Sequence, residues 1–286
     1  MHDSLQAAVQ DYQDVSGQRL KAVDSPYPPD LPQAQLDELL NKPGLLADHC
    51  ASFLMRLLYP ARMATPWTTV AIQRLATQMT RWSAEADRRL HRLFSFLHSH
   101  PDLVLKGVLS DADLSQVQIE ASPDADLAGD LFTTKSTSGR WIELVGADGR
   151  FMPLTWACRR QGATSAHTQE AETVSLAHCM REDALPLQDL VQLLLRKPVA
   201  LIVKEDNTAC IQAVRKGYSP ALRSMPRTQR VSLGDLHETF LEQQAQKVGD
   251  GPVQLQHQDT KMHKGDVFTK YMDPTPYRDA LRRRQP

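Results

Sequence analysis

Four carboxylates that lie far apart in the chain could together bind divalent cations. Asp124 ends an alternating, strand-like pattern, Glu172 falls in the first turns of a helical pattern, Asp206 follows the apolar run "ALIVKE", and Asp266 lies near the start of the last helical pattern. Side chains at strand ends and helix starts can converge without burying a loop. Because carboxylates that are brought together repel one another, such a cluster needs a cation to neutralise it.

The donor atoms of this set favour a hard metal ion. A carboxylate cluster that lacks His and Cys is typical of Mg²⁺ or Mn²⁺ and not of zinc. Two such ions about 4 Å apart can hold the attacking and leaving oxygens of a phosphodiester. Spacing alone leaves an alternative open, since four acidic residues also reach element ends by chance.

Two further acidic residues near Asp124 are assigned by local geometry. The stretch "SPDADLAGDLFTTKSTSG" covers residues 122–139 and contains three aspartates within seven positions. Strand alternation puts Asp126 on the same face as Asp124, which makes Asp126 a candidate to support the metal ligands. Asp130 is predicted to be a turn residue.

In the helical pattern, Glu170 and Glu172 point to different sides, because residues two positions apart differ by about 200° around a helix.

The elements that must position these carboxylates form a mixed α/β pattern. "SQVQIEASPDAD" alternates like a half-buried strand, and "RWIELVGADGRFMPLTWAC" predicts two strands joined by a hairpin turn at Ala147-Asp148-Gly149. Two more apolar strands follow, "PVALIVKED" and "GPVQLQHQD". The predicted order β-β-β-α-β-α-α-β-α is typical of a five-stranded mixed sheet with helices packed against its faces.

Local signals mark the predicted helices of this region. Thr168 is a candidate N-cap of a long helix, Pro186 predicts a kink or break near its middle, and Gly217 ends the next helix. A further helix is predicted over "LGDLHETFLEQQAQKV", and a last one begins at "KGDVFTKYM".

The chain divides into four predicted regions. Residues 1–35 form a proline-rich strap after a short N-terminal helix, and residues 36–114 carry apolar positions at helical spacing. Residues 115–273 hold the mixed α/β pattern, and residues 274–286 form a basic C-terminal tail.

Composition restricts the classes of partner and compartment. The chain has 286 residues, 41% of them hydrophobic, and a formal net charge of -1, so a nucleic-acid partner requires a local basic face. The candidates for that face are Arg215, Lys216, Arg227 and Arg230, and the alternative is that these side chains are only solvated.

The four cysteines lie far apart, which favours a reducing, intracellular compartment. No secretion signal or membrane-spanning stretch is evident, so we expect a protein that is neither secreted nor embedded in a membrane.

Five short motifs occur in a fixed order over residues 117–272. They are Asp124–Asp130 with Lys135–Gly139, then Thr168–Thr173, Asp206-Asn207, Arg227-Thr228 and Gly265–Lys270. In sequence and order they resemble the ribonuclease H domain at the end of copia-type retrotransposon polyproteins, where the corresponding motifs begin with Asp-Ala-Asp-Trp-Ala-Gly-Asp and end with Ala-Asp-Ile-Leu-Thr-Lys. The helical region before them resembles the segment that connects polymerase and ribonuclease in those elements.

The resemblance implies a fold, an activity and partners. It implies a ribonuclease H-like sheet and hydrolysis of the RNA strand of an RNA–DNA hybrid with two Mg²⁺ (or Mn²⁺) ions. No Tyr-x-Asp-Asp polymerase hairpin is found in the chain. We therefore expect the tail of a retroelement polyprotein, a truncated copy or a separately encoded derivative, with the polymerase part as a further partner.

The resemblance also implies a role for each carboxylate. Asp124 would bridge both ions, Asp266 would help to hold the ion that activates water, and Glu172 and Asp206 would help to hold the ion on the leaving 3′ oxygen. It is the resemblance that selects Glu172 over Glu170.

Two other residues are candidates to support the ligands. They are Asn207, next to Asp206, and His263, on the loop that leads to Asp266. Related enzymes use a mobile histidine in such a place for product release, and a solvent-facing loop histidine is the alternative for both His263 and His257.

A second function stays open beside the nuclease. The family's Lys-His-Ile-Asp after the Arg-Thr pair is Gln229-Arg230-Val231-Ser232 here, so that His and Asp have no counterpart. The alternative is a catalytically weak or inactive remnant that binds nucleic acid or a polymerase.

Overall fold

The computed structural model describes residues 2–103, 105–130, 132–242 and 251–282. These residues fall into two compact units. The first unit comprises the described residues up to Leu105 together with those from Tyr271 onward. The second unit runs from Lys106 to Lys270 and contains every predicted site residue.

The first unit is helical. Its helices are α1 (His2–Ser16), α2 (Gln33–Asn41), α3 (Cys50–Met63), α4 (Thr69–Ala76), α5 (Ala84–Ser99) and a C-terminal helix over Pro274–Arg282. Tyr12 stacks on Phe94 with ring centroids 4.2 Å apart, and Phe53 packs edge-on against both rings. Residues 274–282, in the region predicted as a basic tail, form a helix because Tyr277 is fully buried and donates a hydrogen bond to the Trp67 carbonyl.

The second unit is built on one five-stranded sheet. Its strands are β1 (Gln118–Asp126), β2 (Thr137–Val145), β3 (Phe151–Arg160), β4 (Leu201–Glu205) and β5 (Val253–His257). The spatial order is β3-β2-β1-β4-β5, with antiparallel pairing from β3 to β1 and parallel pairing from β1 to β5. The predicted mixed sheet is therefore confirmed. The hairpin turn between β2 and β3 is confirmed as well, and Gly149 supplies the positive φ of 84° that it requires.

Helices flank this sheet. They are α6 (Asp111–Leu114), α7 (Thr168–Cys179), α8 (Leu185–Leu195), α9 (Thr208–Lys216), α10 (Met225–Thr228) and α11 (Leu233–Glu242). Gly217 ends α9 in a left-handed conformation, as predicted. The part of the predicted α11 pattern over residues 243–250 lies outside the described residues. No helix in the described ranges is long and apolar enough to cross a bilayer.

Three local predictions about the helices need correction. His167, and not Thr168, caps α7 by accepting a hydrogen bond from the Glu170 amide. The predicted break at Pro186 lies earlier, as a π-helical turn over Met180–Ala184, because the proline ring cannot approach the carbonyl four residues before it.

The last predicted helix is only a short 3₁₀ turn over Asp266–Phe268. Val267, Phe268 and Thr269 are buried in succession, each 1% exposed or less. Phe268 and Thr269 pack closely against Gly139 of β2, and this contact holds the segment as a short turn in place of the predicted helix.

The core of the second unit lies between the sheet and its helices. Its apolar side chains include Ile119 and Ala121 of β1, Ile142 of β2, Val203 of β4, Val174 of α7 and Val214 of α9. Helix α7 packs across β1 and β2. This packing holds the beginning of α7 over the end of β1 at which Asp124 lies.

Candidate metal centre

Three of the predicted carboxylates converge at one edge of the sheet. One carboxylate oxygen from each of Asp124, Glu172 and Asp206 lies within 4.8 Å of the others. Asp124 is near the carboxyl end of β1, and Asp206 directly follows β4. Since β1 and β4 are adjacent and parallel, their carboxyl ends meet at this edge, and α7 supplies Glu172 from its second turn.

A second group of ligand atoms shares Asp124. One atom from each of Asp124, His263 and Asp266 also lies within 4.8 Å of the others. The structure therefore brings all four predicted carboxylates together, in two groups that meet at Asp124. His263 joins them as a fifth candidate ligand.

Asp124 is held from several directions. It is 1% exposed, and the Thr269 hydroxyl donates a hydrogen bond to its Oδ2. The Lys270 ammonium lies 3.6 Å from Oδ1 and 2.7 Å from Oδ1 of Asp266. The Ser175 hydroxyl donates to the Asp124 carbonyl at 2.7 Å, which ties the strand end to α7.

Two glycines allow the Asp266 segment to approach β1 and β2. Gly139 pairs with Asp124 in the sheet, and a Cβ there would meet Thr269 Cγ2 at 2.6 Å and Phe268 Cβ at 2.8 Å. A Cβ on Gly265 would meet His263 Cε1 at 2.7 Å and Asp124 Cβ at 2.8 Å. These contacts are shorter than side chains tolerate. The close approach gives a physical reason for glycine at both positions.

Burial and mutual repulsion shift the pKa values of the carboxylates in this site. Burial, together with Asp124, Glu205 and Asp206, raises the pKa of Glu172 to about 11. Burial also raises the pKa of Asp124, against the opposing effect of Lys270. Although burial opposes its charge, the neighbouring Asp124 and Asp266 raise the pKa of the Lys270 ammonium. One lysine therefore partly neutralises a cluster that holds more negative than positive groups.

The donor set fits a divalent cation. Among the described residues, Asp124 Oδ1 and Glu172 Oε2 are buried oxygens that accept no hydrogen bond. A buried carboxylate oxygen that accepts no hydrogen bond is costly, and a bound cation would compensate for that cost. Carboxylate oxygens are the ligands that Mg²⁺ and Mn²⁺ prefer, and both groups contain at least two carboxylates.

One acidic residue beside the centre escaped sequence reasoning. Glu205 is fully buried, its Oε1 accepts the Asn207 amide at 3.1 Å, and burial raises the pKa of its carboxyl well above the ordinary value. The available signal was the apolar run itself, because a central parallel strand is buried on both faces and so would bury an acid at its end.

The residues predicted to support the ligands have different surroundings. Neither ligand group within the described ranges includes Asp126, which is half-buried at the end of β1. Asn207 caps α9 by accepting the Cys210 amide at 2.9 Å. Asp130 is confirmed as a turn residue, since its Oδ1 accepts the amides of Phe132 and Thr133.

The two histidines near Asp266 differ from each other. His263 is 1% exposed, so the solvent-facing alternative is wrong for it and a freely mobile ring does not fit its burial. His257, at the end of β5, is exposed. Only His263 belongs to a ligand group in the described part of the chain.

The four residues of the predicted basic face have exposed side chains. They are Arg215, Lys216, Arg227 and Arg230. Arg215 and Lys216 end α9, whose nine residues span about 13 Å from the end that follows Asp206. The role of these four residues in binding nucleic acid stays a prediction.

Comparison with known proteins gave two similar structures. No protein-family model matches the chain. A crystal structure of ribonuclease H1 from the halophilic archaeon Halobacterium salinarum aligns with a TM-score of 0.35 and 15% identity, over 53% of this chain and 94% of that chain. A crystal structure of the prototype foamy virus protease-reverse transcriptase aligns with a TM-score of 0.31 and 11% identity, over 70% of this chain and 27% of the viral one.

The fold class follows from the sheet itself. Three successive antiparallel strands continue through β1 into two parallel strands, and helices flank the sheet. This arrangement is a ribonuclease H-like α/β fold, as the sequence predicts.

Proposed function

We propose that the second unit is a metal-dependent nuclease that hydrolyses the RNA strand of RNA–DNA hybrids. The observation that carries this proposal is the convergence of Asp124, Glu172, Asp206 and Asp266 at one sheet edge, in two groups that share Asp124. Two overlapping ligand groups suit a pair of cations joined by one bridging carboxylate.

Each ligand has a place in this scheme. Asp124 and Asp266 would hold one ion, and Asp124, Glu172 and Asp206 would hold the other. When bound, a pair of Mg²⁺ or Mn²⁺ ions activates the attacking water and stabilises the leaving 3′ oxygen of the phosphodiester. Discrimination for RNA would come from contacts to the 2′-hydroxyl groups, without readout of base sequence.

Other side chains orient the ligands or can contact the substrate. Thr269 fixes the orientation of the Asp124 carboxylate through its hydrogen bond, and Ser175 fixes the backbone at the same residue. Lys270 is 43% exposed while its ammonium contacts Asp266, so it can also meet a backbone phosphate of the substrate.

We propose a copia-type retroelement origin on the ordered motifs, with the polymerase part as a partner. Two of those motifs supply structural residues of the site. Gly139 ends the Lys-Ser-Thr-Ser-Gly motif and permits the close approach of Thr269. Gly265–Lys270 supplies Asp266, Thr269 and Lys270 together.

A non-catalytic nucleic-acid-binding module is the second candidate. Lys270 favours it, because its ion pairs with Asp124 and Asp266 supply part of the countercharge that a cation would otherwise provide. A remnant of this kind could keep its fold without metal binding.

A cleavage assay separates the two functions. The full chain and the Asp124→Asn variant are incubated with an end-labelled RNA–DNA hybrid and with single-stranded RNA, in Mg²⁺ and in Mn²⁺. The nuclease proposal expects cleavage of the RNA in the hybrid by the parent chain and no cleavage by the variant. If both proteins bind the hybrid equally and neither cuts it, the binding module is the correct function.

A further inference from the structure

The His263 side chain is buried beside the carboxylates of the centre. It is 1% exposed, and one of its ring nitrogens lies within 4.8 Å of carboxylate oxygens of Asp124 and Asp266. Its Nε2 lies 3.0 Å from the Lys204 carbonyl, whereas its buried Nδ1 has no hydrogen-bond partner among the described residues.

The contact with Lys204 determines the form of the ring. A carbonyl oxygen can only accept, so Nε2 must carry the proton and donate it. In the neutral imidazole, Nδ1 then has a free lone pair. Histidines that bind metals are commonly held in this way, with the second nitrogen donating to a backbone carbonyl that fixes the tautomer and the ring orientation.

The two residues that follow His263 are held in place by their neighbours. Lys264 pairs with the buried Glu143, and its ammonium lies 4.0 Å from the centroid of the Phe151 ring. A Cβ on Gly265 would meet both the His263 ring and the Asp124 side chain, so these two groups face each other across Gly265. Packing therefore places the ring beside Asp124.

We infer that Nδ1 of His263 is a direct ligand of the cation held by Asp124 and Asp266, and that this half of the centre prefers Mn²⁺ to Mg²⁺. The inference rests on the proposed metal-dependent function and deepens it by naming the preferred ion. Imidazole nitrogen suits transition-metal ions, whereas Mg²⁺ favours an all-oxygen set. The carboxylate-only centre expected from the sequence becomes a mixed oxygen and nitrogen centre.

The test detects nitrogen coordination directly. Mn²⁺ is added to the full chain, and electron spin echo envelope modulation records coupling between bound Mn²⁺ and ¹⁴N. The same measurement on wild-type protein labelled with ¹⁵N-histidine needs no substitution. We expect a histidine coupling that changes with the label, and we expect Asp124→Asn to weaken Mn²⁺ binding.

Two variants separate a ligand from a structural residue. His263→Gln keeps an N–H donor that can reach the Lys204 carbonyl but removes Nδ1. We expect it to lose the nitrogen coupling and to weaken Mn²⁺ binding by about tenfold or more, with a smaller effect on Mg²⁺. His257→Gln is the matched control and should keep both the coupling and the affinity.

The outcomes distinguish this inference from the nuclease proposal. If Mn²⁺ binds the wild-type chain without histidine coupling, or if the coupling persists in His263→Gln, His263 is not a ligand and the inference is overturned. Cleavage of the hybrid in that case would leave the nuclease proposal standing. Histidine coupling in a chain that cuts no hybrid would instead support the ligand and refute the nuclease.

Discussion

Gly139→Ala tests the close approach on which the centre depends. The added methyl group would meet Thr269 Cγ2 at 2.6 Å, Phe268 Cβ at 2.8 Å and the Phe268 backbone carbon at 2.9 Å. One of these neighbours is backbone, so the clash cannot be relieved by rotating a single side chain. The segment that carries Asp266 and Thr269 must move away from β2.

The expected loss of folding stability in Gly139→Ala is the difference between two opposing effects. Overpacking a buried site costs about 1–3 kcal/mol, whereas replacing glycine by alanine stabilises by about 0.4–1 kcal/mol through the unfolded chain. Overpacking prevails, and the expected net loss is about 1–2 kcal/mol. For a unit of this size that loss lowers the melting temperature by roughly 2–8 °C. Mn²⁺ affinity should fall as well, because Asp266 shifts relative to Asp124.

Thermal unfolding with and without Mn²⁺ measures both the loss of stability and the loss of Mn²⁺ affinity. Gly162→Ala is the matched control, since a Cβ on Gly162 has no atom within 4 Å and its φ is not positive. This control should melt at or slightly above the wild-type temperature and bind Mn²⁺ normally. A Gly139→Ala protein with wild-type stability and wild-type metal affinity would refute the reasoning.

Substitutions at three further residues probe the charges and hydrogen bonds of the centre. The Glu172 carboxyl has an ordinary pKa of 4.5 in the unfolded chain and a folded pKa raised to about 11, so the metal-free protein should lose stability as the pH rises above 4.5. Melting curves between pH 5 and 8 should show this decline, and bound Mn²⁺ should reduce it. If the melting temperature of Glu172→Gln depended on pH as strongly as that of the wild type, the assignment to Glu172 would be wrong. Thr269→Val removes the hydrogen bond to the buried Asp124 and should cost about 1–3 kcal/mol by urea denaturation, while Thr269→Ser should retain most of the stability. Lys270→Gln removes an ammonium that competes for Asp124 and Asp266, so calorimetry should show tighter Mn²⁺ binding; weaker binding would show that Lys270 assists the cation.

Local signals in the sequence sufficed for most of the fold. Alternating apolar residues define β1, the Ala147-Asp148-Gly149 turn defines the hairpin, and Gly217 ends α9. Each of these signals acts within a few residues, so no distant part of the chain is needed to interpret it. The 3₁₀ turn over Asp266–Phe268 could not be predicted in this way, because it depends on packing against β1 and β2, which are distant in the chain.

Convergence of the carboxylates was a prediction that only distances could test. Short motifs identified Asp124, Glu172, Asp206 and Asp266, and strand topology suggested that they meet at one edge. The motifs could not reveal Glu205, whose buried oxygen depends on the packing of β4.

The fold class and the acidic character of the centre could be inferred from the sequence, because both depend on residue type and local order. The neighbours that complete that centre depend on tertiary packing. The imidazole of His263 reaches Asp124 across Gly265, and its ring is oriented by the Lys204 carbonyl of a strand 59 positions away in the chain. Such contacts arise when distant segments pack together, and residue spacing along the chain carries no measure of them.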